Sequence, residues 1–380
     1  MKPNRLSSAL FAASLTLAAC SGAAETSNEG GDYTLTPIVN GLEIPWSMAF
    51  LPNGDMLVTE RAGRLRLVRN GALVDTPVSG TPNALIDGQG GYLGLALDPN
   101  FDDTRLVYLA YSKGEAGANA TAVVRGRLSD DATALSNVEE IFVATERNTS
   151  YHFGGRLEFL GDGTLLVSLG DAFRLMDEAQ NAQNSHGAIV RINADGSIPE
   201  DNPAAGATGM AAKVFSYGHR NVQGLAYDAE RDIIYAHEHG PKGGDELNVI
   251  EAGRNYGWPE ITYGVNYDGS VITTETERDG LEQPVTYWVP SIAPSGMELI
   301  SGETYPGWSG DLLIAAMNGP KGQKLVRIDL EDGAFVDRVD LFSGEGLPYR
   351  DVAQAPDGKI YLVSDYDGQI FRIDPAPAES

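Results

Sequence analysis

From Tyr33 onward, no long stretch of the chain keeps the three-to-four-residue apolar spacing of an amphipathic helix. Short alternating or β-branched runs recur instead, separated by turns rich in Gly, Pro, Asn and Asp. This pattern predicts an all-β chain. Its most informative unit is an apolar pair, a turn with Asp-Gly or Asn-Gly, an apolar strand, a short polar turn and a second apolar strand.

One copy runs from Met48 through Asn53-Gly54 to Val58 and continues from Gly63 to Val68. Others begin near Leu95, Leu157, Leu225, Met297 and Val352, making six. Units of roughly 45 to 70 residues, each holding three or four short strands, match propeller blades with long connecting loops. The expected fold is therefore a six-bladed β-propeller of four-stranded blades over residues 33–376. A two-sheet sandwich is the runner-up, but six such units favour radial repetition. The strand near Thr34 to Val39 is expected to close the ring by pairing with the C-terminal strands.

The N-terminus carries a different pattern. Lys2 and Arg5 precede an apolar run from Ala9 to Ala19, which is too short to span a bilayer and reads as an export signal. Leu17-Ala18-Ala19-Cys20 resembles a bacterial lipobox, with Cys20 as the lipidation site and the only cysteine in the chain. Residues 1–20 are thus expected to be a lipoprotein-type signal. Residues 21–32, small, polar and acidic, suit a flexible tether. The expected location is the periplasmic face of a membrane or the cell envelope, with the lipid as the only membrane contact.

Composition narrows the function. With 53 Asp and Glu against 27 Lys and Arg, the net charge is −26, which repels a phosphate backbone and argues against nucleic acid as a partner.

Three loop regions break the repeat with candidate chemistry. In Asp87-Gly88-Gln89-Gly90-Gly91-Tyr92, the glycines permit close ligand approach and Gln89 offers donors and an acceptor. His152, within Tyr151 to Arg156, and Asp171, one hairpin later, can form a base and its orienting carboxylate. A hydrogen bond that merely closes a blade is an equally good reading of that pair. The third region runs from Ser216 to Pro259. There Arg220 beside Asn221 can fork an anionic group, and Gly240 to Glu246 can offer carbonyls and carboxylates to a hard cation such as calcium. His237 and His239 are read as structural.

Taken together, these segments resemble the soluble quinoprotein sugar dehydrogenases, especially their shorter aldose sugar dehydrogenase branch. The resemblance covers nearly all of residues 40 to 375. It is carried by Pro45 to Phe50, Gly88 to Gly91, His152 to Arg156, Gly218 to Gly224, His239-Gly240-Pro241 with Asp245-Glu246, Asn255 to Pro259, and Tyr349 to Val352.

The resemblance implies oxidation of an aldose at C1 to a lactone, with pyrroloquinoline quinone and calcium as cofactors and His152 as general base oriented by Asp171. It also implies that Gln89, Arg220, Asn221, Tyr267 and Arg350 hold the quinone. The carbonyls of Gly240 and Pro241 would hold its calcium, Glu246 and Tyr256 a second, structural calcium. Trp288 would form an aromatic wall of the sugar pocket. A monomer with a small aldose as its partner and an unknown electron acceptor is implied as well.

A quinone with three carboxylates needs cations at its rim and a Lewis acid at its carbonyls. Two positions depart from the family pattern: Pro348 and Asn318 stand where basic residues are usual, with Lys321 and Lys324 as candidate substitutes. The alternatives are a calcium-dependent propeller lactonase or esterase and a non-catalytic propeller that serves as a binding module.

Overall fold

The structure, a computed structural model, describes residues 32–318 and 322–376. The lipobox and Cys20 lie outside the described residues, as does Lys321.

The strands form six separate four-stranded antiparallel sheets. Blade one comprises Pro45–Phe50, Met56–Glu60, Arg64–Arg69 and Ala72–Leu73, and blade two Tyr92–Leu97, Leu106–Glu115, Ala118–Leu128 and Leu135–Val143. Blade three comprises Leu157–Phe159, Thr164–Ser168, Ala188–Asn193 and Val214–Tyr217, and blade four Val222–Asp228, Ile233–Glu238, Asp245–Val249 and Thr286–Trp288. Blade five comprises Pro294–Leu299, Leu312–Asn318, Gln323–Glu331 and Ala334–Leu341. Blade six takes Tyr349–Gln354, Ile360–Ser364 and Gln369–Pro375 from the C-terminal end and its fourth strand, Tyr33–Val39, from the N-terminal end.

That last strand pairs antiparallel from Tyr33↔Pro375 to Val39↔Ile370. It closes the ring as the repeat pattern predicts, by satisfying a sheet edge that would otherwise stay open.

Each of the six repeat starts in the sequence falls on the first strand of a blade. These first strands contact one another around the ring and so enclose the central channel. The second strands of blades one and three, Met56–Glu60 and Thr164–Ser168, are buried along their whole length because they are covered by the neighbouring blades. Six apolar clusters result, most of them shared by neighbouring blades; Leu57 of blade one and Leu109 of blade two, for instance, belong to the same cluster. Burial of these continuous apolar runs drives the packing.

The channel is also pinned by charge. Asp351 Oδ1 accepts a 2.9 Å hydrogen bond from Arg156, and its Oδ2 accepts one from the Met48 amide at 2.9 Å. One carboxylate therefore ties blade six to blade one and to the start of blade three. Arg156 also lies 4.4 Å over the Trp46 ring. At one end of the channel, Glu158 and Glu298 line an opening where burial pushes both carboxyls up to about 8.

Candidate active site

The loop Tyr151 to Arg156 brings His152 to the channel with a left-handed backbone, φ 55°. Such a conformation is costly for a residue with a side chain and has to be held by its surroundings. Three neighbours hold it. The Gln89 Oε1 accepts from the His152 amide at 2.8 Å, and Arg147 donates to the His152 carbonyl at 2.6 Å. Gly170 packs so closely that a Cβ there would come within 2.2 Å of the same carbonyl oxygen. Gly170 also forms a β-bridge with Asn221, joining two of the loops singled out in the sequence.

His152 Nδ1 and Asp171 Oδ1 are 2.6 Å apart, and both side chains are buried. Asp171 also accepts from the Phe173 amide at 2.8 Å and from the Trp258 indole at 2.8 Å. Burial raises its pKa, but the hydrogen bond and charge of His152 outweigh this and hold the carboxyl below its ordinary value. An ionised carboxylate only accepts, so Nδ1 carries the proton and Nε2 is left with a lone pair. Burial is also the main influence on His152, followed by the opposing hydrogen bond to Asp171. With the Arg220 and Arg147 guanidinium groups nearby, the net result is a pKa below the usual histidine value. The imidazole is therefore neutral at neutral pH, oriented, and able to accept a proton.

The other sequence candidates converge on the same place. Gln89, Asn221, His239 and Arg350 line one cavity of about 80 Å³ with Trp46, Arg61 and Met317. A second cavity of about 390 Å³ shares His239 and is lined by Gly240, Pro241, Lys242, Tyr267, Ser291 and Asn318. Arg220 is buried, donates to the carbonyls of His239 (3.0 Å) and Gly240 (2.8 Å), and lies 3.4 Å from the Tyr267 hydroxyl. Its partners are neutral, so its charge is uncompensated by any ion pair among the described residues. Arg350 is paired with the buried Asp365 at 2.9 Å.

The loop after His239 is shaped by Asp245. Its carboxylate accepts from the amides of Gly240 (2.9 Å), Ile292 (2.7 Å) and Ala293 (3.1 Å) and from the Ser291 hydroxyl (3.0 Å). This makes Asp245 a clasp between blades four and five.

Glu246 sits opposite Glu238 on the adjacent strand, and the two line a small buried void with Gly240, Tyr256 and Thr262. Glu238 is satisfied by His219 at 3.1 Å and by the Arg220 amide. Among the described residues Glu246 has one side-chain hydrogen bond, from the Asn248 amide at 3.4 Å; burial first, then the Glu238 charge, drives its pKa well above the ordinary value. The Tyr256 phenol is committed to backbone, donating to Val249 at 2.7 Å and accepting from Glu251 at 2.8 Å, which leaves its carbonyl as the group a cation could use. Among the described residues, no three His, Cys, Asp or Glu side chains are grouped to hold a metal. Carbonyl oxygens would have to complete either cation site.

Two expectations change and one is met. Trp288 is 4 % exposed and belongs to the apolar core with Leu247 and Ile292, under the Arg338 guanidinium at 5.3 Å. Strand alternation turns its ring inward while Tyr287 and Val289 stay exposed, so Trp288 forms no wall of either cavity. Lys324 is tied to Asp340 at 2.6 Å and does not replace the family's lysine. His237, read as structural, is buried against Gly224, where a Cβ would meet the imidazole at 2.1 Å.

Sequence reasoning missed Arg61 and Arg147. Arg61 follows the Thr59-Glu60 strand end, lines the channel cavity and makes no ion pair among the described residues. Arg147 is buried under Phe153 at 4.3 Å and reaches Thr121 Oγ1 at 2.5 Å as well as His152; burial lowers its pKa to about 9. No short motif marks either residue: Arg61 reaches the site from the end of a blade-one strand and Arg147 from the loop that leads to His152.

Comparison with known proteins agrees with this arrangement. The sequence model described as Glucose / Sorbosone dehydrogenase matches residues 42–372. The chain is 38 % identical to Aldose sugar dehydrogenase YliI of Escherichia coli over 88 % of this chain and 91 % of that protein. It is 26 % identical to Quinoprotein glucose dehydrogenase B of Acinetobacter calcoaceticus, over 89 % and 86 % of the two chains. The PQQ-bound aldose sugar dehydrogenase of Streptomyces coelicolor superposes with a TM-score of 0.75 at 29 % identity, covering 90 % of this chain and 98 % of that one. A closed six-bladed ring with a buried His–Asp pair at its channel, matched over nearly its whole length, thus makes this chain a member of the glucose/sorbosone dehydrogenase family of sugar-oxidising enzymes.

Proposed function

We propose that the protein oxidises aldoses at C1 to lactones, using pyrroloquinoline quinone and calcium, with His152 as general base. The observation that carries this reading is the neutral, Asp171-oriented imidazole, whose amide is held by Gln89 of a cavity lined by Arg61 and Arg350, with Arg220 reaching the carbonyls of His239 and Gly240 nearby. A base with that geometry contributes about 10²- to 10⁴-fold in rate.

The residues present fit both groups. Arg220 lacks a carboxylate partner, and Arg61 has no ion partner among the described residues, which suits a ligand with several carboxylates. Glu246 faces a small void opposite Glu238 with a single 3.4 Å side-chain hydrogen bond, from Asn248, among the described residues, which suits calcium with oxygen ligands. When bound, the quinone supplies the hydride acceptor and calcium polarises its carbonyl. Gln89, Asn221, Arg61, Arg220, Tyr267 and Arg350 would hold the quinone, and the carbonyls of Gly240 and Pro241 its calcium. Glu246 and the Tyr256 carbonyl would hold the structural calcium. His152 Nε2 takes the proton of the C1 hydroxyl, and Asp171 stabilises the resulting imidazolium through Nδ1.

The test is reconstitution. Residues 21–380, supplied with calcium and the quinone, should reduce an artificial dye in the presence of an aldose, and only when both additions are made. Aldose oxidation without the quinone, or none with both, would overturn the reading.

The proposal extends to location. The sequence of the first twenty residues supports an exported protein tethered by lipid at Cys20 outside the cytoplasm, and the family resemblance supports a monomer. Replacing Cys20 with Ala should move the mature protein from the membrane to the soluble fraction.

A further inference from the structure

Trp258 is 7 % exposed, yet it belongs to none of the six apolar clusters. It is buried instead among the polar groups of the site. Its indole N–H donates to Asp171 Oδ2 at 2.8 Å, and the Arg220 guanidinium lies 5.4 Å over its ring.

These two contacts serve different halves of the chemistry. Asp171 orients the base, and Arg220 is a buried cation with no ion pair among the described residues. Asp171 Oδ1 is shared by His152 Nδ1 and the Phe173 amide, whereas Oδ2 is held by Trp258. The terminal torsion of a carboxylate is soft, and a donor on each oxygen stops it from turning. On the other side, an aromatic face attracts a guanidinium and limits where it can sit. The backbone ties the same two residues together, since the Asp171 amide donates to the Arg220 carbonyl at 2.8 Å.

The loop that carries Trp258 is fixed on its own account. The Trp258 amide donates to the Gly218 carbonyl at 2.8 Å, and its carbonyl accepts from the Gln180 side chain at 2.7 Å. Gln180 and Asn255 exchange side-chain hydrogen bonds of 2.7 and 3.1 Å. Gly218, with φ 78°, permits this close approach; a Cβ there would come within 2.1 Å of Asn255 Oδ1. The indole thus keeps its place through contacts within the protein.

We propose that Trp258 is a positioning residue that joins the two halves of the site: its N–H locks the rotation of Asp171, and its ring face seats Arg220. The proposal rests on the sugar-oxidising reading above and adds a positioning residue to that site.

Two variants separate the halves. Trp258→Phe removes the N–H and keeps an aromatic face, while Trp258→Leu removes both. In the reconstituted enzyme each should lower kcat about tenfold or more, the scale of a hydrogen bond to a charged group. Only Trp258→Leu should also weaken quinone binding, about threefold to tenfold in a spectroscopic titration. A carboxylate that has lost a donor pulls harder on the imidazolium proton, so the acid limb of kcat/KM should move to higher pH in both variants. A merely structural role would lower activity and leave the limb in place.

Histidine 15N NMR reads the same contact without turnover. In residues 21–380 without cofactors, His152 should carry its proton on Nδ1 and titrate below 6.5, and in Trp258→Phe the midpoint should rise. Arg147 and Arg220 influence the imidazole in both proteins, so the change reports Asp171. A further measurement needs no variant and stands even if both fail to fold: of the four indole N–H signals of the native chain, one should follow the His152 titration. An unmoved midpoint and limb in Trp258→Phe, or no indole signal that follows His152, overturns the proposal. If the native protein oxidises no sugar but its indole and His152 signals titrate together, the functional reading fails and the positioning role stands.

Discussion

The Nδ1 of His152 and the Oδ1 of Asp171 are separated by 2.6 Å inside a site from which both side chains are almost wholly shielded. Asp171 comes from just past the strand Thr164–Ser168 and His152 from the loop that precedes the whole hairpin, yet the Trp258 indole and the Phe173 amide fix the carboxylate from two further directions. The pair is built to keep one tautomer.

Replacing Asp171 by Asn should therefore cost more than its size suggests. Asn can turn its NH2 toward Nδ1 and favour the tautomer that protonates Nε2, so kcat should fall about 10²-fold or more with KM little changed. Steady-state kinetics on the reconstituted enzyme would check it; a loss confined to KM would contradict the assigned role.

The pH profile follows from the direction of the His152 shift. The base works when deprotonated, and a pKa below the ordinary 6.5 keeps it so in mildly acidic solution. The acid limb of kcat/KM should lie below pH 6.5. Arg147→Met removes one of the cations that depress this pKa and also the donor to the His152 carbonyl, so the limb should move to higher pH as the maximum falls. A lower maximum with an unmoved limb would make Arg147 purely structural.

Arg61 offers a test of how the site tolerates Pro348 and Asn318. Its side chain is the cation in the channel cavity that has no ion partner among the described residues, whereas Arg350 is already paired with Asp365. Arg61→Ala should weaken quinone binding by tenfold or more in a spectroscopic titration, the scale of a lost charge-assisted hydrogen bond of about 1.5–3 kcal/mol.

The Arg156–Asp351 pair predicts a stability effect away from the chemistry. Asp351→Ala leaves Arg156 buried without its counter-ion and frees the Met48 amide, a loss on the order of 3–5 kcal/mol. Chemical denaturation should show it.

Glu158 and Glu298 predict a pH dependence of stability. Their carboxyls hold a proton up to about pH 8 when folded and release it near 4.5 when unfolded, so the native state binds more protons between those values. Stability should fall as pH rises from 4.5 to 8. The melting temperature of the Glu158→Gln, Glu298→Gln double variant should fall less across that window.

The sequence by itself was enough for the blade count, the ring closure and the His152–Asp171 pair. These depend on local signals: the alternation of apolar residues, Asp-Gly and Asn-Gly turns, and motifs a few residues long. Tertiary structure alone decided the rest. Trp288 lies in a motif that reads as pocket wall, but the pairing of its strand with Asp245–Val249 turns the ring into the core. Arg61 joins the site because blades far apart in sequence converge on one channel, while Arg147 and Phe173 reach the base through the paths of the loops on either side of one hairpin. A side chain's address in such a ring is set by strand register and loop path, long-range quantities that no short stretch of sequence encodes.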